Sequence, residues 1–232
     1  MNKIEQIKEK IENEHIDYLR YTKSFFQDAH DSMTVENHSR HNMDPEYQKY
    51  IIEYVSKNYE FWSGKKALDI GCGCGRNVVN LLSAADFKRV DGCDISLSNV
   101  EYSKKYANNP NSNFWETDGY TLNPAKNNEY DYIMSHIVFQ HIANHSIRYS
   151  LLSDVYRILN DEGTAIIHYL DLDGSVPYYE DYSNCEALLN CTVEDESYLI
   201  KDFEEIGFKN VEVFTGTDPF CRKKSYYVRG RK

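Results

Sequence analysis

The chain has 232 residues, 41% hydrophobic and 27% charged, which allows one full core with an appendage. Its 37 acidic and 26 basic residues give a formal net charge of −11, which argues against a nucleic-acid partner, whose binding rests on neutralising phosphates. No apolar run is long enough to span a bilayer and the N-terminus is charged rather than signal-like, so no membrane partner and a cytoplasmic location are expected.

From the N-terminus, residues 2–30 read as helix: Ile4, Ile7, Ile11, Tyr18 and Leu19 fall near one face, with Lys and Glu on the other. That stripe suits a cap over a pocket, packing on its own domain, or a homodimer contact. Residues 31–45 lose the periodicity and become polar, as in a loop that closes over a ligand, with His38, Arg40 and His41 as candidate substrate contacts. A simple solvated loop is the plain alternative. Asp44-Pro45 then starts a helix to about Tyr59, whose buried face is Tyr47, Ile51, Tyr54 and Val55.

The next stretch, Lys66 to Asn77, changes character twice. Ala67, Leu68 and Ile70 read as a buried strand that stops at a burst of glycines, after which Val78, Val79, Leu81 and Leu82 recur at helical spacing. Strand, tight glycine turn and helix make a site for an anionic or carboxylate-bearing ligand. Glycine admits a ligand close to the main chain, and the helix aims unpaired N–H groups at it. Gly71-x-Gly73-x-Gly75 lacks the third small residue of the dinucleotide fingerprint, where Arg76 stands, and no Gly-Lys-Ser/Thr follows.

Arg89 to Asp94 reads as a second strand ending in an acid, with Ser96 capping the following helix. Asp94 can accept two hydrogen bonds from vicinal ribose hydroxyls. A short strand from Asn113 ends at Asp118-Gly119, a dipeptide that on its own signals a turn. Residues 130–135 form a central strand that passes into a loop at His136. Leu151, Leu152, Val155, Ile158 and Leu159 mark an amphipathic helix that stops at Asn160-Asp161-Glu162-Gly163, and Thr164 to Tyr169 is a buried strand. An insertion from 171 to about 196 carries Tyr178, Tyr179 and Tyr182 and exceeds an ordinary connection, which favours a lid or binding loop. A helix (Tyr198 to Ile206) and two strands (Val211 to Phe214, Tyr226 to Arg229) complete the chain.

Leu68-Asp69-Ile70-Gly71-Cys72-Gly73-Cys74-Gly75 resembles the first motif of the class I S-adenosylmethionine-dependent methyltransferases, and later segments match that family in order over about residues 60–230. The resemblance implies an α/β fold: a doubly wound, Rossmann-like, mostly parallel sheet with a terminal antiparallel hairpin, plus an N-terminal helical cap. Residues 1–59 would be the cap or lid and 60–232 the methyltransferase domain. It implies S-adenosyl-L-methionine as cofactor. The amino-acid end would lie along Asp69, Gly71 and Gly73, the ribose on Asp94, and the adenine by Ile95, Asp118 and Gly119, with Ser135 near the donor.

Chemistry at an alcohol also needs a base. His141 is the first candidate and His136 the second, since both follow the fourth strand; helix-entry histidines satisfied by backbone are the plain alternative. The polar loop, Tyr178 and Tyr179, and the acidic surface suggest a small polar acceptor, O-methylated on a hydroxyl of a carbohydrate or nucleotide-linked compound. N-methylation of an amino sugar or small amine is the alternative within the class. Outside it stand an NAD-dependent oxidoreductase, against which Arg76 counts, and a non-catalytic nucleoside-binding protein. The six cysteines show no paired spacing and no metal-ligand cluster, so they read as small thiols and no metal is expected.

Overall fold

A computed structural model describes residues 1–31, 49–172, 176–182, 189–218 and 221–232. Among these residues one seven-stranded sheet forms from β1 (Lys66–Ile70), β2 (Arg89–Asp94), β3 (Phe114–Glu116), β4 (Tyr130–Ser135), β5 (Leu159–Leu170), β8 (Lys209–Thr217) and β9 (Lys224–Arg231). A short parallel pair, β6 (Val176–Pro177) and β7 (Cys191–Thr192), lies in the insertion. The spatial order is β3-β2-β1-β4-β5-β9-β8, with the first five strands parallel and β9 antiparallel to both its neighbours. The doubly wound sheet and its terminal hairpin are as the sequence implies.

The strands are short apolar runs because the sheet is covered on both faces. Successive side chains alternate: Leu68 and Ile70 of β1 join one core, Ala67 the other. The first core takes Ile11 of α1 (Lys3–Glu14), Leu19 of α2 (Ile16–Asp31), Leu152 of α7 (His145–Ile158) and Phe203 of α8 (Glu196–Ile206). The second takes Ile51 and Val55 of α3 (Lys49–Lys57), Trp62 of α4 (Tyr59–Trp62) and Val78 and Leu81 of α5 (Arg76–Ala84). Helix α6 (Leu97–Ala107) packs on β2 and β3, capped by Ser96, whose Oγ accepts from the Asn99 N–H at 3.4 Å. None of the described helices is long and apolar enough to cross a membrane.

Two elements differ from the sequence reading. The N-terminal helix is two helices that break at His15; α1 is held by a capping box in which Asn2 and Glu5 bond each other's N–H groups. The helix before β5 ends at Ile158, and Leu159–Gly163 belongs to the strand, with a register shift opposite Tyr130 and Tyr132 and Glu162 at φ 63°. The glycine signal there marks a bulge rather than a free turn.

The insertion is fastened to the body by a buried cation. Arg148 of α7 is fully buried, donates to the carbonyls of Ile142, Ala143 and Tyr178, and lies 4.8 Å over the Tyr178 ring. An aliphatic replacement would leave those carbonyls without their donor inside the protein. Arg148→Met is therefore expected to lower the unfolding free energy by about 3 kcal/mol. Urea denaturation reads this directly; a change below about 1 kcal/mol would show that water or a shifted chain takes over.

Candidate functional site

The strand order reverses between β1 and β4, and a cavity of about 450 Å³ opens at the carboxyl ends of these strands and β2. Its floor is the glycine turn, one side is Asp94 and Ile95, and the other is the chain leaving β4 from His136 to Ile142. Tyr18, Leu19, Thr22 and Phe26 close it from above, spaced along one face of α2.

Gly71 has φ 69°, and a Cβ there would stand 2.2 Å from Val138 Cγ2, so the turn and the β4 exit share one space only while residue 71 is glycine. A Cβ on Gly73 would meet nothing within 4 Å and would point into unfilled space, which is room for a ligand against the main chain. Beneath the turn, Asp69 is fully buried, with Arg76 and Asn77 as the groups that favour its charged form. Burial pushes its carboxyl up to about 8, against the opposing pull of Arg76. Asp94 is better provided for. Its Oδ2 accepts from the Gly73 N–H at 2.9 Å, and its Oδ1 from the Ser96 N–H at 2.9 Å and Asn99 Nδ2 at 3.0 Å. Burial still raises its affinity for a proton.

On the other side, Ile137 takes φ 58°, a left-handed conformation that costs a β-branched residue on the order of 1–3 kcal/mol. Its N–H donates to His168 Nδ1 at 3.1 Å, and His168 Nε2 lies 2.7 Å from Ser225 Oγ. His136 lines the cavity and packs against His168 (ring centroids 4.6 Å) and Tyr227 (6.1 Å), which also touch each other; burial and His168 hold it well below the usual imidazole range. His141 closes the short 3₁₀ turn Phe139–His141 and also lines the cavity. Its Nδ1 lies 2.7 Å from Asn190 Oδ1, so Nδ1 carries the proton and Nε2 a lone pair. Burial lowers its pKa and favours that neutral form.

Of the residues expected at the site, Gly71, Gly73, Asp94, Ile95, Gly119, His136 and His141 line this one cavity, with Asp69 directly below. Others do other work. Asp118 is off the cavity wall: its oxygens accept from the N–H groups of Tyr120 (3.0 Å) and Thr121 (2.6 Å) and from Thr121 Oγ1 (2.7 Å), which closes its own turn. Ser135 Oγ donates to the Ile70 carbonyl at 3.0 Å and ties β4 to β1. Tyr178 is buried against Arg148 with its hydroxyl on Asp202 at 2.9 Å, and Tyr179 packs on Tyr198, so neither reaches the cavity. His38, Arg40 and His41 lie outside the described residues. No group of three or more His, Cys, Asp or Glu among the described residues could hold a metal.

Two residues at this site have no place in the sequence reading. Nothing local marks Asn190, which meets His141 across 49 positions. His168 did leave a trace: a polar residue inside the run Ala165-Ile166-Ile167-His168-Tyr169 must find a buried partner.

Residues 67–163 match a family described as a methyltransferase domain. A ubiquinone biosynthesis O-methyltransferase of Rickettsia bellii is 31% identical over 130 residues, 55% of this chain and 51% of that protein. The chain thus spans about half the length of the curated relatives it matches. A SAM-dependent methyltransferase from Aquifex aeolicus superposes with TM-score 0.56 at 17% identity, over 86% of this chain and 98% of its own. A putative methyltransferase of Haloferax volcanii, solved with its Trm112 activator, gives TM-score 0.63 at 16% identity over 88% and 96%. At these identities the two structures speak for the fold.

The raised carboxyl of Asp69 has a measurable sign. Between about pH 4, where an unfolded aspartate ionises, and about 8, the folded chain keeps a proton that the unfolded chain releases. This group therefore takes stability away as pH rises across that window. Asp69→Asn removes the effect, so the melting temperature of the variant minus that of the wild type should climb from pH 5 to pH 8. A flat difference would mean that Asp69 is ionised in the folded chain.

Proposed function

We propose that the chain is a class I S-adenosylmethionine-dependent methyltransferase, as the methyltransferase-domain match over residues 67–163 supports, and that it acts as an O-methyltransferase of a small hydroxyl compound. The cavity residues fit the cofactor. The unfilled space over Gly73 admits a ligand backbone, the buried carboxyl of Asp69 lies under the turn, where a ligand's ammonium group would favour its ionised form, and Asp94 Oδ2 can exchange the Gly73 N–H for ribose hydroxyls. Ile95 and Gly119 take the adenine face, and Thr117 beside them replaces Asp118 on that wall.

When bound, S-adenosylmethionine supplies an electrophilic methyl group on a sulfonium sulfur. The chain supplies position, exclusion of water by α2, and a proton acceptor. His141 Nε2 is that acceptor: it would take the proton of the attacking hydroxyl as the methyl carbon exchanged its bond to sulfur for one to oxygen, the bonding pair staying with the sulfur of the departing S-adenosylhomocysteine. The observation that carries this reading is the Asn190 carbonyl on Nδ1, which fixes the tautomer a general base needs. His136, buried against His168 and Tyr227, is a wall residue rather than the base.

Phe26, Ile137, Val138 and Ile142 surround His141 with apolar wall. Such a wall favours a hydroxyl on an aromatic or otherwise apolar body, in keeping with the O-methyltransferase relatives, over the carbohydrate or nucleotide-linked hydroxyl expected from the polar loop. Transfer to a small amine is the second reading, for which no base is required.

Titration calorimetry should show S-adenosylmethionine and S-adenosylhomocysteine binding saturably and NAD not at all, with Asp94→Ala abolishing the heat. Catechols, sugars, nucleotide sugars and small amines are then screened by S-adenosylhomocysteine release. His141→Ala should cut turnover of a phenolic acceptor by about 100-fold or more with nucleoside affinity unchanged. Binding of NAD alone would sink the family reading, and turnover of amines only, indifferent to His141, would move the reaction to nitrogen.

A further inference from the structure

We propose that His168 is a positioning residue of this site: its imidazole holds the Ile137 peptide in the left-handed conformation on which the cavity wall and the His141 turn are built. His168 does not line the cavity. It sits on β5, paired with Tyr227 of β9 and fully buried. Its Nδ1 accepts from the Ile137 N–H at 3.1 Å, so that nitrogen carries no proton; the proton is on Nε2, which donates to Ser225 Oγ at 2.7 Å. Burial keeps the ring uncharged, down to about 3, so the acceptor at Nδ1 persists at any working pH.

The geometry downstream depends on that one bond. An isoleucine at φ 58° stays there only if its surroundings overdetermine it, and its N–H would otherwise be an orphan inside the protein. Given that twist, Val138 drops into the space left by Gly71, and the Val138 carbonyl accepts from the His141 N–H at 2.9 Å to close the turn. Released, Ile137 would relax to negative φ, which moves Val138 off the glycine turn and His141 off Asn190. His168 thus acts on the reacting region through two peptide units without touching it. Sequence spacing assigns it no part.

The test uses S-adenosylhomocysteine as probe and so rests on the cofactor reading above; a second readout does not. Asparagine places its carbonyl where Nδ1 stands, whereas glutamine reaches toward Ser225 and leucine supplies neither contact. His168→Asn should keep the Kd within about threefold of wild type, while His168→Gln and His168→Leu weaken it about tenfold or more. In an Ile137→Gly background, where the twist costs little, the difference between the Asn and Leu variants should fall below about threefold. Equal losses for Asn and Leu, or a difference that persists with glycine at 137, would falsify the proposal. Should the Leu variant not fold, the Asn and Gln pair alone decides. Nitrogen NMR of labelled histidine in the wild type gives the second readout: a neutral Nε2–H ring for His168 supports the assignment, and an Nδ1–H or charged ring overturns it. If the wild type binds no S-adenosylhomocysteine, the cofactor reading has failed, and the ring tautomer still judges His168.

Discussion

The ends of β1 and β4 occupy one small volume, and they can do so only because residue 71 has no side chain. Val138 fills that volume. Everything chemical in the cavity is referred to this contact. The glycine turn lies on one side of it, with Asp69 below and Asp94 bonded to the Gly73 N–H; on the other lie the twisted Ile137 and the turn that carries His141. A packed interior does not deform smoothly, so a one-atom addition at Gly71 would be felt on both sides at once.

Around that contact the molecule uses polar fastenings where a larger hydrophobic surface is not at hand. Asp181 of the insertion accepts from the Ser146 N–H and hydroxyl, pairs with Lys10 of α1 and lies 3.6 Å from His15. These groups hold Asp181 well below the usual carboxylate range. Tyr18 of α2 accepts from the Ala143 N–H at 2.9 Å, and Gln27 Oε1 accepts from the Ser98 N–H at 3.2 Å. The N-terminal helices are thereby bound both to the insertion and to the start of α6. Each bond is worth little net, about 1 kcal/mol, but each is directional, so together they set where α2 lies over the cavity.

The fold was legible in the sequence because its signals are local. Strands such as Lys66–Ile70 and Tyr130–Ser135 are short apolar runs that stop at glycine or a polar residue, and Ser96 marks its helix start. Asp94 was legible for the same reason: a strand-end acid behind a glycine turn has one place to point. For Asp118 and Ser135 the residue type does not choose between two uses, because a turn acid or a strand-end hydroxyl can serve the backbone or a ligand; the partner of Ser135 is distant in sequence and those of Asp118 are near. Thr121 takes the first and the Ile70 carbonyl the second. Tyr178 and Tyr179 read as ligand contacts from their place in a long insertion, but Arg148 and Asp202, which bury Tyr178, belong to helices packed from elsewhere. Asn190 reaches His141 through the same insertion and has no local signature at all.

The break between α1 and α2 at His15 has a kinetic side. Helix α1 is anchored on α7, while the residues of α2 that roof the cavity, Tyr18 through Phe26, follow directly after the break. Where α2 has to lift for a ligand to leave, that motion limits the exit rate. Residence time would then follow a few hydrogen bonds and the Lys23–Glu116 ion pair rather than the depth of the cavity, and association and dissociation would slow together when those bonds are strengthened.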